Sequence, residues 1–460
     1  MQAAPAAGKK QGFYKSILVI VFPMILQNLM NSAVSACDTL MLGYVGQSEL
    51  SASSLAGNVQ FIVNMFFYGI CSGSSVLIAQ YWGRKDMDTI ERTVGIALRF
   101  TIIVGLLFSC AALFAPTLIM RIYTTEENLI ALGAKYLRIV GLGYLLNSFT
   151  QIYISSQRAM ERVMFGTVVN LISMFANLVL NACFIFGWGP FPALGIVGVA
   201  IATLISQIIS FSIAVFDSTK KERAATVRIK YIFQQKKELF RDFVKYTLPA
   251  LGNDFSWGLG FSCYTVVLGR LGEDMVAANA YAGTVRSLST VVCFALANAS
   301  AIIMGKTLGS NDLEEGRNQG FRFLMLSIIS GVVAGLAILA VRGFVVGNVN
   351  LTETAMSYLS VMLLISSVNV IGQSVNTMTM AGIFRAGGDT KYGFICDTCV
   401  MWIYGVAFGG LLCAFVLKLP PLWIYFILFM DETWKMIPNF IRYSQKKWVK
   451  NITRDMASLE

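Results

Sequence analysis

The chain has 460 residues, 56% hydrophobic and 13% charged, with a net charge of +11 and a mean hydropathy of +0.65. Soluble domains carry about 25% charged residues; this composition excludes a soluble core as the sink for the apolar surface and makes lipid the solvent for most of the chain. The positive excess sits in short stretches between apolar runs, among them Lys220, Lys221, Arg223, Arg228, Lys230, Lys236, Lys237 and Arg241, the pattern of a cytoplasmic membrane face and not of a nucleic-acid-binding domain.

Residues 1–15 form a polar, small-residue tail without a signal-peptide pattern, expected in the cytoplasm. Apolar runs of bilayer-spanning length then recur at 16–44, 55–80, 94–118, 129–155, 163–187 and 194–216. A polar, basic stretch at 217–241 follows, and six more runs occupy 242–269, 279–305, 320–346, 354–382, 391–417 and 421–443, leaving a basic tail at 444–460. The expectation is an all-α membrane protein of twelve transmembrane helices, six in an N-lobe (16–216) and six in a C-lobe (242–443).

With both termini inside, only Arg121, Lys135, Arg138, Arg270, Arg342 and Lys418 fall outside, and Arg286 falls within a span. That asymmetry sets the expected orientation, termini cytoplasmic. The nine cysteines all lie in apolar segments and read as small buried hydrophobes. Cys396 and Cys399 form a CxxC inside a helix, but no second pair and no histidine accompanies them, so no metal or redox centre is expected.

The second half overlays the first at a constant offset of 226 residues. Pro23/Pro249, Cys37/Cys263, Thr39/Thr265, Leu42/Leu268, Gly43/Gly269, Gly46/Gly272, Ala56/Ala282, Gly57/Gly283, Gly83/Gly309 and Asp86/Asp312 coincide. Six spans per unit give the two halves the same orientation, so they are parallel repeats with a pathway expected between them. Duplication of this kind favours a transporter over a receptor, a channel or a membrane enzyme. An enzyme would also require clustered catalytic groups at the interface, and the chain has no histidine and no Asp cluster of that kind. It is expected not to be an enzyme.

Particular residues resemble a known family. Pro23 followed by Asp38-Thr39 and Leu42-Gly43-Tyr44-Val45-Gly46 resembles the first helix of MATE (multidrug and toxic compound extrusion) transporters. Ala79-Gln80-Tyr81-Trp82-Gly83-Arg84-Lys85-Asp86 is similar to the loop after their second helix, and Arg385-Ala386-Gly387-Gly388-Asp389-Thr390 to the loop between helices ten and eleven. Asn177-Leu178-Val179-Leu180-Asn181 and Ala202-Thr203 fit the fifth and sixth helices, and Glu432, Lys435, Arg442 and Trp448 the last helix and tail.

The resemblance implies two six-helix lobes that open alternately to each side, in a bacterial inner membrane. It also implies export of small organic cations in exchange for protons, sodium or both, with no cofactor and a single chain as the working unit. A lipid-linked saccharide flippase of the same superfamily is the alternative; it would want a basic cavity, for which Arg286 alone is thin support.

An intramembrane carboxylate costs roughly 2.5–3.5 kcal/mol on insertion scales and needs a reason to be there. Asp38 lies six residues before Tyr44, about 9 Å below the outer boundary at 1.5 Å per residue. Asn181 and Thr203 lie at similar depth on two other helices, and Asn177 is one turn from Asn181. The resemblance matches these four positions to the family's amino-terminal ion site, with one departure: Asn181 stands where many relatives carry Asp. One carboxylate can still carry a proton, or with two amides and a hydroxyl hold sodium as hard oxygen ligands do; metal binding is not expected beyond that.

Pro23 and Pro249 are candidate bending points in their helices. Asp254, mid-membrane on the seventh span, is a candidate to attract a cationic substrate or to bind a proton itself; Arg286 on the eighth is a candidate to select anionic groups, with a structural ion pair the favoured reading. Trp257 stands where some sodium-coupled relatives carry a glutamate, so a sodium site of that kind is not expected in the second half. Asp431 and Glu432 are one turn from Lys435 and are expected to pair with it locally.

Overall fold

The computed structural model describes residues 6–188, 192–219, 227–234, 236–349 and 351–455. Lys220, Lys221 and Arg223 of the basic stretch, and the extreme ends of both tails, lie outside the described residues. Among those described there is no strand.

In chain order the helices are α1 (Ala6–Val45), α2 (Gln47–Arg84), α3 (Met87–Phe114), α4 (Pro116–Tyr123), α5 (Glu127–Ala159), α6 (Val163–Phe186), α7 (Ile196–Ser218) and α8 (Ile229–Phe233). The second half has α9 (Lys237–Gly269), α10 (Glu273–Gly309), α11 (Leu313–Asn348), α12 (Glu353–Thr377), α13 (Thr390–Thr398), α14 (Pro421–Phe429) and α15 (Asp431–Ser444). α12 runs on as a π-helix over Met378–Phe384, and α13 over Cys399–Val416.

Among the described residues, ten helices are long and apolar enough to cross a membrane. The two remaining expected spans correspond to α9, whose polarity comes from residues such as Asp242, Lys245 and Asp254, and to the α14–α15 pair, divided at Met430. Within its described residues, the expected linker 217–241 holds the end of α7, all of α8 and the first turn of α9.

The chain packs as two compact units, residues 22–78 with 86–244, and residues 1–21 with 79–85 and 245–460. α1 passes from one unit to the other between Val21 and Phe22, immediately before Pro23. α9 does so between Val244 and Lys245, five residues before Pro249. Neither helix is interrupted at its proline.

The core of the first unit joins Val59, Val63 and Phe67 of α2 to Leu137, Val140 and Tyr144 of α5. In the other unit Met275 and Ala278 of α10, Leu359 and Met362 of α12, and Ile424, Tyr425 and Leu428 of α14 are fully enclosed. In lipid no water is at hand for backbone groups, so the helix, which satisfies them within itself, is the favoured form for each of these segments.

The repeat-matched Asp86 and Asp312 do the same local work in both halves. Asp86 Oδ1 accepts from the Thr89 backbone N–H at 3.1 Å and Asp312 Oδ1 from that of Glu315 at 3.1 Å, capping α3 and α11. Each follows a residue in the left-handed region, Lys85 at φ 62° and Asn311 at φ 66°.

Gly83 and Gly309, another matched pair, face each other's helices. A Cβ on Gly83 would strike the Lys306 carbonyl, and one on Gly309 the Gln80 carbonyl, so only glycine lets the ends of α2 and α10 cross this closely. The tail then closes over the crossing. Gln80 Nε2 donates to the carbonyls of Ala386 (2.8 Å) and Lys450 (3.1 Å), and its Oε1 accepts from the Ile452 N–H (2.8 Å).

Candidate functional site

Four helices of the first unit bring polar side chains together. Asn181 of α6 donates from Nδ2 to Asp38 Oδ1 of α1 at 2.7 Å and to Asn177 Oδ1 at 3.2 Å. Asn177 Nδ2 reaches Thr203 Oγ1 of α7 at 3.5 Å. Tyr136 of α5 packs beside them, against Leu42, Ile185 and Val199. Asn181 is 0% exposed, whereas Asp38 is half-buried.

All four residues expected at an amino-terminal ion site are thus joined, with Asn181 at the centre. Both contacts of its amide nitrogen are donated, which leaves its carbonyl Oδ1 buried without a partner. A buried, unpaired amide oxygen next to a carboxylate is a place where a proton donor or a hard cation would satisfy both groups. Tyr136 was not legible from the sequence, since one tyrosine in an apolar run carries no signal of its own.

The second unit treats its charges differently. Asp254 of α9 is held by Arg385, Nη2 to Oδ1 at 2.9 Å, and Arg385 also reaches Asn253 Oδ1 at 3.4 Å. Asn253 Nδ2 donates to Asp397 Oδ2 at 2.7 Å. Asp397 then pairs at 2.7 Å with Lys435, which also contacts Glu432 at 3.1 Å and Asp431 at 3.3 Å. Lys435 is 1% exposed.

The expected local pairing of Lys435 with Asp431 and Glu432 is present, but the shortest contact comes from α13. Further support comes from Tyr264, whose hydroxyl donates to Asp431 Oδ2 at 3.1 Å, and from Asn376, whose amide donates to Glu432 Oε2 at 2.9 Å. Asp254, read as a candidate substrate-facing charge, therefore has a committed cationic partner. Its signal lay in the Arg385 motif, which sequence reading placed in a loop because partners 131 residues apart leave no local pattern.

Arg286 of α10 has no carboxylate within ion-pair distance among the described residues. Its guanidinium lies over the Phe429 ring at 4.3 Å and near Phe261 at 5.9 Å. The ion pair expected for it is replaced by aromatic faces, because α14 presents Phe429 to α10 where a carboxylate would have to stand.

These features define a duplicated, all-helical, multi-pass membrane protein with separate buried polar networks in its two units. The profile described as MatE matches residues 23–183 and again 250–411, and the chain belongs to that family. The double match coincides with the sequence repeat. "Probable multidrug resistance protein YoeA" of Bacillus subtilis is 24% identical over 453 residues, 97% of this chain and 96% of the relative. "Multidrug resistance protein MdtK" of Photorhabdus laumondii is 22% identical over 444 residues, covering 94% and 96%. A solved structure titled "Crystal structure of MATE in the straight conformation" superposes with a TM-score of 0.82 at 19% identity, covering 94% of this chain and 96% of that one. The twelve-helix, all-α fold is that of the MATE transporters.

Proposed function

We propose that this chain is a secondary active multidrug exporter. It exchanges small organic cations for protons, sodium or both by alternating access, as a single chain with both termini in the cytoplasm of a bacterial cell and no cofactor. The observation that carries the reading is the Asp38 network. It offers one carboxylate and one unpaired buried amide oxygen, the donor set for a single coupling cation. The names of YoeA and MdtK support multidrug efflux as the cargo class. The Lys/Arg asymmetry supports the orientation.

Asp38 binds the coupling cation from the outer side, and its neutralisation lowers the cost of carrying it through the apolar interior. Asn181 orients the carboxylate; Asn177, joined to Thr203, holds Asn181. The passage of α1 between the units just before Pro23 gives the ion site a covalent route to both.

The test is efflux of a fluorescent organic cation from proteoliposomes under a proton gradient alone, a sodium gradient alone, or neither. Asp38→Asn should abolish gradient-driven efflux while leaving the protein folded. Normal transport by this variant under both gradients would overturn the assignment of Asp38.

A further inference from the structure

We propose that α8 and the start of α9 form a docking surface for anionic phospholipid at the cytoplasmic edge of the first unit. The inference rests on the membrane-spanning fold and on the orientation read from its Lys/Arg asymmetry, and on neither the cargo nor the coupling ion.

Between α7 and α9 the described chain holds only the five-residue α8, yet that segment is fixed at a defined depth. A Cβ on Gly95 would strike the Tyr231 carbonyl, so the backbone of α8 lies directly on α3. The Tyr231 phenol donates to Asp88 Oδ1, and Arg228 pairs with Glu91 at 2.7 Å. Arg92 lies over the Tyr231 ring at 4.4 Å. Gly95 falls at the inner edge of the apolar run 94–118, so α8 is held where hydrocarbon meets headgroups and not out in the cytoplasm. Phe240 and Phe243 of α9 stack on Phe100 of α3 at 6.0 and 5.6 Å, which puts the first turns of α9 near the same boundary.

This anchoring sorts the charges. The acids are drawn inward: Glu91 and Asp242 are buried, and Asp88 is taken up by Tyr231 and Arg92. The bases are left outside, with Lys230, Lys237 and Arg241 exposed and Glu238 the only exposed acid beside them. Arg228, though paired with Glu91, keeps 58% of its side chain in the open. Phe233 on the same short helix is 77% exposed.

An aromatic ring turned outward at the edge of the hydrocarbon and flanked by cations suits both parts of an anionic lipid. The ring enters the acyl boundary and the Lys and Arg side chains attract the phosphodiester. A soluble anion would answer the charges and leave the ring in water. The segment after α15 differs in this respect: Lys446, Lys447 and Lys450 are exposed, but its ring is turned inward, Trp448 packing on Gly320 of α11.

The experiment follows thermal melting of the full-length purified protein in neutral detergent against added short-chain phosphatidylglycerol, phosphatidylcholine or inorganic phosphate. The wild type should be stabilised by phosphatidylglycerol at concentrations well below those of the other two, and less strongly as ionic strength rises. In the triple variant Lys230→Gln, Lys237→Gln, Arg241→Gln the half-maximal concentration of phosphatidylglycerol should rise at least about tenfold, with the response to phosphatidylcholine unchanged. The matched tail variant Lys446→Gln, Lys447→Gln, Lys450→Gln should keep the wild-type preference. Phe233→Ser should weaken the response to both lipids. Melting without additive shows that each variant is folded; if the triple variant is not, the single reversal Lys230→Glu carries the same test.

An equal loss in the two triple variants, no loss in either, or equal stabilisation of the wild type by phosphatidylcholine or phosphate would each overturn the proposal. No cargo or gradient enters this readout. Its failure therefore leaves the transporter reading untouched, and a failure of gradient-driven efflux leaves the lipid surface standing.

Discussion

Asn181 donates twice from one nitrogen, to Asp38 at 2.7 Å and to Asn177 at 3.2 Å, while its own carbonyl oxygen is buried and unpaired. The amide thereby fixes the carboxylate of α1 to the polar face of α6 and keeps one acceptor in reserve. Where many relatives, by resemblance, have a second carboxylate, this chain has a group that can orient Asp38 without repelling it.

Replacing Asn181 separates these roles. Asn181→Leu removes a charge-assisted hydrogen bond of about 1.5–3 kcal/mol and the reserved oxygen together. Gradient-driven efflux is expected to fall by roughly tenfold or more, with dye binding retained. Asn181→Asp sets two carboxylates in contact, which favours a cation between them. Its melting temperature in detergent should then rise with added sodium or acid more than that of the wild type does.

Tyr136 of α5 packs beside the same network, against Leu42, Ile185 and Val199. Tyr136→Phe keeps the ring and removes the hydroxyl. With the ring packing kept, coupled efflux should stay within a few-fold of the wild type, and the dye affinity should not change. A loss as large as that of Asp38→Asn would mean that Tyr136 itself handles the cation.

Lys435 is the single cation among three buried carboxylates. Lys435→Met should destabilise the protein by about 3–5 kcal/mol, because unpaired charge is then left in the interior. Adding Asp397→Asn removes one of the orphaned charges and should restore part of the loss, measured as melting temperature. Additive effects of the two substitutions would contradict the coupling that their 2.7 Å contact implies.

The repeat-matched glycines split into two kinds. Gly83→Ala and Gly309→Ala drive a methyl into the backbone of the crossing helix and should cost on the order of 1–3 kcal/mol. Nothing lies within 4 Å of a Cβ on Gly57 or Gly283. Alanine at those helical positions should be neutral or stabilising by about 0.5–1 kcal/mol. Thermal melting of the four variants, made in parallel, checks this.

The sequence alone determined the solvent, the helical class and the duplication, and it marked Asp38, Asn177, Asn181 and Thr203 as residues at matching depth. Each of these is written in composition, in 20-residue apolar runs or in a fixed offset, all of which are local or additive along the chain. Asp38, Asn177, Asn181 and Thr203 were legible because polar groups at matching depth in lipid need one another. Tertiary structure alone decided which charge answers which. Asp254 meets Arg385 rather than open space, Lys435 draws Asp397 from α13, and Arg286 finds the rings of Phe429 and Phe261 in place of a carboxylate. Such choices depend on how helices distant in sequence are rotated against each other. A rotation by one residue, about 100° at 3.6 residues per turn, exchanges an ion pair for an aromatic face without altering the hydropathy of either run.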